Sequence, residues 1–122
     1  MIYQNDRIFI EIEPFEIPWL KIFAKAACKE MSECDEKTRE TIYKALDIIE
    51  RTMLEILSPK KVNIASFGNY LPQVHWHIQA RFEEDSYFPE PVWGEKRREA
   101  KLEIKNLDHF FEEVKRRLEE EL

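Results

Sequence analysis

Two of the chain's three histidines stand one residue apart, in Pro72-Gln73-Val74-His75-Trp76-His77-Ile78-Gln79-Ala80-Arg81. Near neutral pH an imidazole serves as nucleophile, base or, once protonated, acid. On a strand, residues two apart share a face. The stretch therefore predicts a polar ridge of Gln73, His75, His77 and Gln79, backed by an apolar face of Val74, Trp76 and Ile78. Such a ridge suits a reaction site built on a rigid sheet. It is also half of a metal site, for which Glu11, Glu83 and His109 are the candidate third ligands. A solvated polar face is the plain structural alternative.

A sheet is needed to carry the ridge, and the chain supplies one. Arg7 to Glu13 alternates, with Ile8, Ile10 and Ile12 on one side and Phe9, Glu11 and Glu13 on the other, and Pro14 ends it. Trp19 to Lys25, Lys61 to Phe67 and Gln73 to Phe82 read as three more strands. Gly68-Asn69 begins the bend between the last two, which is too short for a parallel crossover and predicts a hairpin. Asp35 to Leu57 is the clearest helix: Ile42, Leu46, Ile49, Met53 and Ile56 recur at spacings of three and four. Ser32 or Asp35 caps its start, and Ser58-Pro59 stops it. Glu83 to Gly94 is irregular, with the acidic run Glu83-Glu84-Asp85 read as solvated. Leu107, Phe110, Phe111, Val114 and Leu118 mark a C-terminal helix over about 102–121. The pattern is α+β: an antiparallel sheet with one long helix and a C-terminal helix.

Length and composition set the limits. The 122 residues, 43% of them hydrophobic, make one domain with one core. A net charge of −6, spread along the chain, argues against a nucleic-acid footprint. It leaves room for a small anion held by amides and imidazoles. Cys28 and Cys34 are too few and too close for a disulfide framework, and no histidine lies near them to complete a zinc site. The expected compartment is a reducing cytoplasm. Met1 to Glu13 carries acids and does not read as a signal peptide, and no run approaches a membrane span.

Three segments together resemble the histidine triad (HIT) superfamily. The first is Asn63-Ile64-Ala65-Ser66-Phe67-Gly68-Asn69, followed by Tyr70-Leu71-Pro72 and the ridge through Arg81. The second is Phe88-Pro89-Glu90-Pro91-Val92-Trp93-Gly94, and the third Pro18-Trp19-Leu20-Lys21-Ile22-Phe23-Ala24-Lys25. The motifs cover about residues 5 to 94 of a single HIT-like domain, 1–122, and look like a bacterial, diadenosine-tetraphosphate-hydrolase-like branch. Counting from Gly68-Asn69 puts Gln73 at the first triad position, His75 at the middle and His77 at the last. The resemblance then implies that His75 is the nucleophile. A shifted register, His75-x-His77-x-Gln79, resembles a nucleotidyltransferase branch and makes His77 the nucleophile; the Gly68-Asn69 spacing and Arg81 favour the first.

The resemblance implies a nucleotide hydrolase or nucleotidyl transferase working at an α-phosphate through a nucleotidyl-histidine intermediate. His77 then donates to phosphate, and Gln73 orients His75 or a water. Asn69 contacts phosphate or the leaving group, Asn63 points by strand alternation toward the same nucleotide site, Glu11 holds ribose hydroxyls, and Ile12 with Phe9 flanks the base. Trp19 stands where several branches have another histidine. Trp93 either covers the site or pins an irregular segment. A homodimer is implied, with no tightly bound cofactor and a divalent cation only as a companion of a polyphosphate substrate. A nucleotide-binding module with little turnover and a metal-binding protein are the rival readings.

Overall fold

The computed structural model describes all residues from Met1 to Leu122. Five strands form one antiparallel sheet: β1 (Tyr3–Gln4), β2 (Ile8–Ile12), β3 (Trp19–Ala24), β4 (Lys61–Ser66) and β5 (His75–Arg81). Their order across the sheet is β1-β2-β3-β5-β4. Two helices, α1 (Glu36–Ile56) and α2 (Leu107–Glu121), complete the α+β fold. The predicted β4–β5 hairpin is present, with Ala65 opposite His77 and Asn63 opposite Gln79.

Strand alternation gives the sheet two unlike faces. Ile8, Ile10, Leu20, Ile22, Ile78 and Ala80 are fully buried on one face. They share a core with the α1 stripe of Ile42, Leu46, Ile49 and Met53 and with Phe110, Val114 and Leu118 of α2. The other face carries the histidines. Tight local chemistry holds the frame. Asn5 Oδ1 accepts from the N–H groups of Arg7 and Ile8 at 2.8 and 3.1 Å, closing the β1–β2 turn. Asp35 caps α1 by accepting from Thr38 N at 2.7 Å, as expected of one of the two candidate caps. Gly68 has φ +113°, a conformation that favours glycine at the bend after β4.

Three expectations need correction. The C-terminal helix begins at Leu107, not near Leu102. Asn106 is left-handed (φ 63°), and the preceding residues alternate, Leu102 and Ile104 half-buried, Glu103 and Lys105 exposed. That is an extended pattern, and Leu102 packs on a small cluster of Ile17, Trp19 and Val92. Cys28 and Cys34 form a disulfide, with Cα atoms 5.6 Å apart, because a 3-10 turn at Met31–Glu33 folds the intervening chain back on itself. Both cysteines lie in the main core. Finally, Asp85 is 1% exposed and not solvated. No helix is long and apolar enough to cross a membrane.

Candidate active site on the open face of the sheet

β3 and β5 set the site through their register. Phe9, Phe23 and His75 stand opposite one another on β2, β3 and β5. They form a stacked row: Phe9 and Phe23 centroids lie 4.7 Å apart at 3°, and Phe23 and His75 lie 5.2 Å apart at 19°. One step along, Glu11, Lys21 and His77 form a second row. The strand spacing puts Glu11 about 10 Å from His77. The two imidazole centroids are 5.2 Å apart.

The imidazoles hold opposite tautomers. His75 Nδ1 lies 2.7 Å from the carbonyl oxygen of Gln73. A carbonyl only accepts, so this Nδ1 carries a proton, and in the neutral ring Nε2 carries the lone pair. His77 Nδ1 lies 3.0 Å from Trp19 Nε1. An indole N–H only donates, so this Nδ1 carries the lone pair and Nε2 the proton. One ring thus offers a nucleophilic nitrogen and the other a hydrogen-bond donor. Burial first, and then the neighbouring His75 and Lys21, lower the His77 pKa from 6.5 to about 4, with Glu13 opposing. His77 is therefore a neutral donor at pH 7, not an imidazolium.

Asn63 on β4 is oriented by a buried ion pair. Arg81, 1% exposed, donates from Nη1 to Asn63 Oδ1 at 2.8 Å. Its Nε and Nη2 donate to Asp85 at 2.8 and 3.0 Å, and Nη2 also reaches Glu90 O at 2.8 Å. Asp85 also accepts from the N–H groups of Phe82, Tyr87 and Phe88. Burial pushes the Asp85 carboxyl up, but Arg81 and these N–H groups together hold it below the usual carboxylate value. With Oδ1 taken by Arg81, the Asn63 amide nitrogen is left to donate elsewhere.

Other candidates sit less centrally. Gln73 lies just before β5, and its Nε2 donates to Ala24 O at 2.6 Å, closing the end of the sheet. Its carbonyl, not its amide, acts on His75. Asn69 is exposed in the β4–β5 connection and makes no side-chain hydrogen bond. Glu11 is half-buried on the histidine face. Ile12 pairs with Leu20 and by alternation belongs to the helix-bearing face, so the structure does not bring it to the histidines. Glu83 pairs with Lys60 at 3.1 Å, and His109 is exposed on α2. Neither joins Glu11 and the histidine pair in a three-ligand cluster.

Lys21 carries no sequence signal of its own, and Trp19 stands out only as the residue in place of another branch's histidine. Lys21 sits between Glu11 and His77, 3.2 Å from Glu13 and 5.6 Å from the Phe23 ring centroid. Strand register is the signal that finds it, because Lys21 shares the phase of Trp19 and Phe23. Trp19 stands in register with Gln79, one step from His77.

The arrangement has solved counterparts. A histidine triad protein of Bradyrhizobium japonicum is 27% identical to this chain, with a TM-score of 0.77, covering 96% of this chain and 88% of its own. The chain is thus similar to histidine triad proteins over nearly its whole length. A histidine triad protein of Marinobacter aquaeolei VT8 has the same fold at TM-score 0.77 and 21% identity, covering 98% of this chain and 88% of its own. One from Sinorhizobium meliloti 1021 has it at 0.71 and 24%, covering 99% and 87%. No family model and no curated protein matches the chain. Gln73, the residue expected at the first triad position, is turned to the end of β3, where its Nε2 donates to Ala24 O.

Proposed function

We propose that this histidine triad protein transfers or hydrolyses nucleotidyl groups at an α-phosphate, with His75 as nucleophile. The observation that carries the reading is the pair of opposed tautomers. His75 Nε2 attacks phosphorus, a P–N bond forms, and the bond to the leaving oxygen or nitrogen breaks. Water or another acceptor then attacks the same phosphorus and releases His75. His77 Nε2–H and the Asn63 amide donate to oxygens whose charge grows during each displacement. Loss of one such donor costs about 3 kcal/mol in the barrier. His77, its pKa lowered to about 4, works as a neutral dipole.

In this reading Phe9 and Glu11 take the transferred nucleoside, the ring beside Phe23 and the carboxylate on ribose hydroxyls. Asn69 reaches phosphate only from the exposed connection. No tightly bound cofactor takes part, and a divalent cation accompanies a polyphosphate substrate. A homodimer follows from the family's habit; the apolar stripe of α1 is used within the chain, so a partner would contact exposed Tyr43 and Leu54. The cytoplasm, where nucleotides are abundant, is the proposed setting, although its reducing milieu works against the Cys28–Cys34 bridge. Gln73 favours a second reading, a nucleotide-binding module with slow turnover, because its amide is engaged with Ala24 O.

A panel of dinucleoside polyphosphates, nucleoside phosphoramidates and adenylyl sulphates tests both. Turnover by the wild type that His75→Ala abolishes is expected. Binding without turnover supports the second reading, and full activity in His75→Ala refutes the first.

A further inference from the structure

The chain between the end of β3 at Ala24 and the start of α1 at Glu36 is fastened at few points. Two hydrogen bonds tie residues 26–34 to the rest of the fold. Val74 N–H donates to Cys28 O at 2.9 Å, and Arg39 Nη1 donates to Cys34 O. The two ends of this stretch are held unequally. Cys34 leads straight into Asp35, which caps α1 through Thr38 N and pairs with Arg7 at 3.0 Å. Cys28 has only the Val74 bond and the bridge to Cys34. The bridge therefore carries the firm anchorage of the α1 end across to Cys28, and from Cys28 O to Val74. Val74 is the residue before His75, and the carbonyl before Val74 is Gln73 O, which accepts the His75 Nδ1 proton at 2.7 Å. A continuous path thus runs from the bridge to the nucleophile. Ala26, Ala27, Lys29 and Glu30 are exposed, so the stretch lies open to a thiol in solution. A surface segment with so few ties opens locally at low cost.

We propose that the Cys28–Cys34 bridge is a redox switch for the His75 site. A thiolate of a dithiol reductant attacks one bridge sulfur and breaks the S–S bond, and its second thiolate resolves the mixed disulfide. The dithiol ends as a disulfide, and Cys28 and Cys34 each end as a thiol. A disulfide oxidant such as oxidised glutathione runs the exchange backwards, taking up the same two electrons and two protons. With the bridge open, Cys28 loses its tie to α1 and Val74 N–H loses a fixed acceptor. Val74 O still accepts from Ala24 N–H at 3.0 Å, so the segment stays on the sheet. The Gln73 carbonyl is then set less firmly, and His75 shares its proton between Nδ1 and Nε2. The Nε2-protonated ring has no lone pair to offer phosphorus. The site is thus up in oxidising and down in reducing conditions. The rate effect rests on His75 as the nucleophile proposed above; the coupling of bridge to tautomer does not.

The test uses the full chain, oxidised with glutathione disulfide or reduced with dithiothreitol, without denaturant. Long-range proton–nitrogen spectra should show His75 protonated on Nδ1 in the oxidised protein and as a mixture in the reduced one. The amide-exchange rate of Val74 relative to that of Ile78 should rise about tenfold on reduction; the ratio cancels any global loss of stability. Single-turnover rates on a nucleotidyl substrate should fall about fivefold, the share set by one neutral hydrogen bond, and return on reoxidation. Cys28→Ser/Cys34→Ser should match the reduced wild type and ignore the redox buffer. An unchanged His75 tautomer and Val74 ratio, or equal rates in the two redox states, overturn the proposal. If no nucleotidyl substrate is turned over, the chemistry assigned to His75 fails, and the tautomer and exchange signals still decide the switch.

Discussion

Removing the indole donor with Trp19→Phe isolates the contact that sets the His77 tautomer. The Trp19 Nε1–H to His77 Nδ1 bond is 3.0 Å long and buried. A neutral hydrogen bond of this kind contributes about 1 kcal/mol net, which is a factor of about five in an equilibrium. In the variant, His77 should pass from a nearly pure Nε2–H form to a mixture of tautomers. The smaller ring also leaves a void, so stability should drop by roughly 1–2 kcal/mol. The chemical step should slow about fivefold, with kcat falling more than KM rises, because the lost donor serves the transition state. Two-bond proton–nitrogen correlation spectra of the imidazoles report the tautomers directly, and single-turnover rates report the chemistry. A wild-type His77 protonated on Nδ1, or a Trp19→Phe protein with an unchanged Nε2–H form, would refute the reasoning.

Three further outcomes follow from the same geometry. Because the folded His77 pKa lies near 4 and the unfolded one near 6.5, the unfolded chain binds more protons between these values; stability should fall by about 2–3 kcal/mol as pH drops through that window and His77→Asn should flatten the fall, as read from urea midpoints. Asp85→Ala leaves Arg81 buried and unpaired and should cost about 3–5 kcal/mol, with Arg81→Met/Asp85→Leu recovering much of it; a loss below 1 kcal/mol by thermal unfolding would contradict the buried network. Reducing the Cys28–Cys34 bridge, which spans a sequence separation of 6, should lower stability by about 2 kcal/mol in urea titrations with and without reductant, and a thiol count of two in the unreduced protein would contradict the bridge.

Period-two alternation made β2 through β5 legible, and the short Gly68-Asn69 connection made the β4–β5 hairpin legible, because both depend on neighbours in sequence. The helix stripe of Ile42, Leu46, Ile49 and Met53 was equally plain. What the strand pattern could not show was the cross-strand partner of each ring. His77 takes its tautomer from Trp19, 58 residues away, and Asn63 takes its orientation from Arg81, 18 away. Ile12 has the residue type of a base-flanking group but the phase of the core face, so alternation already argued against it. Asp85 looked solvated as part of an acidic run, yet three backbone N–H groups and Arg81 draw it inside. The disulfide and the late start of α2 depend on a 3-10 turn and a left-handed Asn106, local geometries that residue spacing does not reveal.

The central claim is that His75 Nε2 forms a bond to phosphorus, and trapping that bond tests it most directly. Rapid denaturation at alkaline pH during turnover of a nucleotidyl substrate, followed by intact-mass and peptide analysis, should find one nucleotidyl group per chain, on His75. The adduct should be lost in acid, as a phosphoramidate is, and absent from His75→Ala. An adduct on His77, or substrate consumed at the wild-type rate by His75→Ala, would contradict the account.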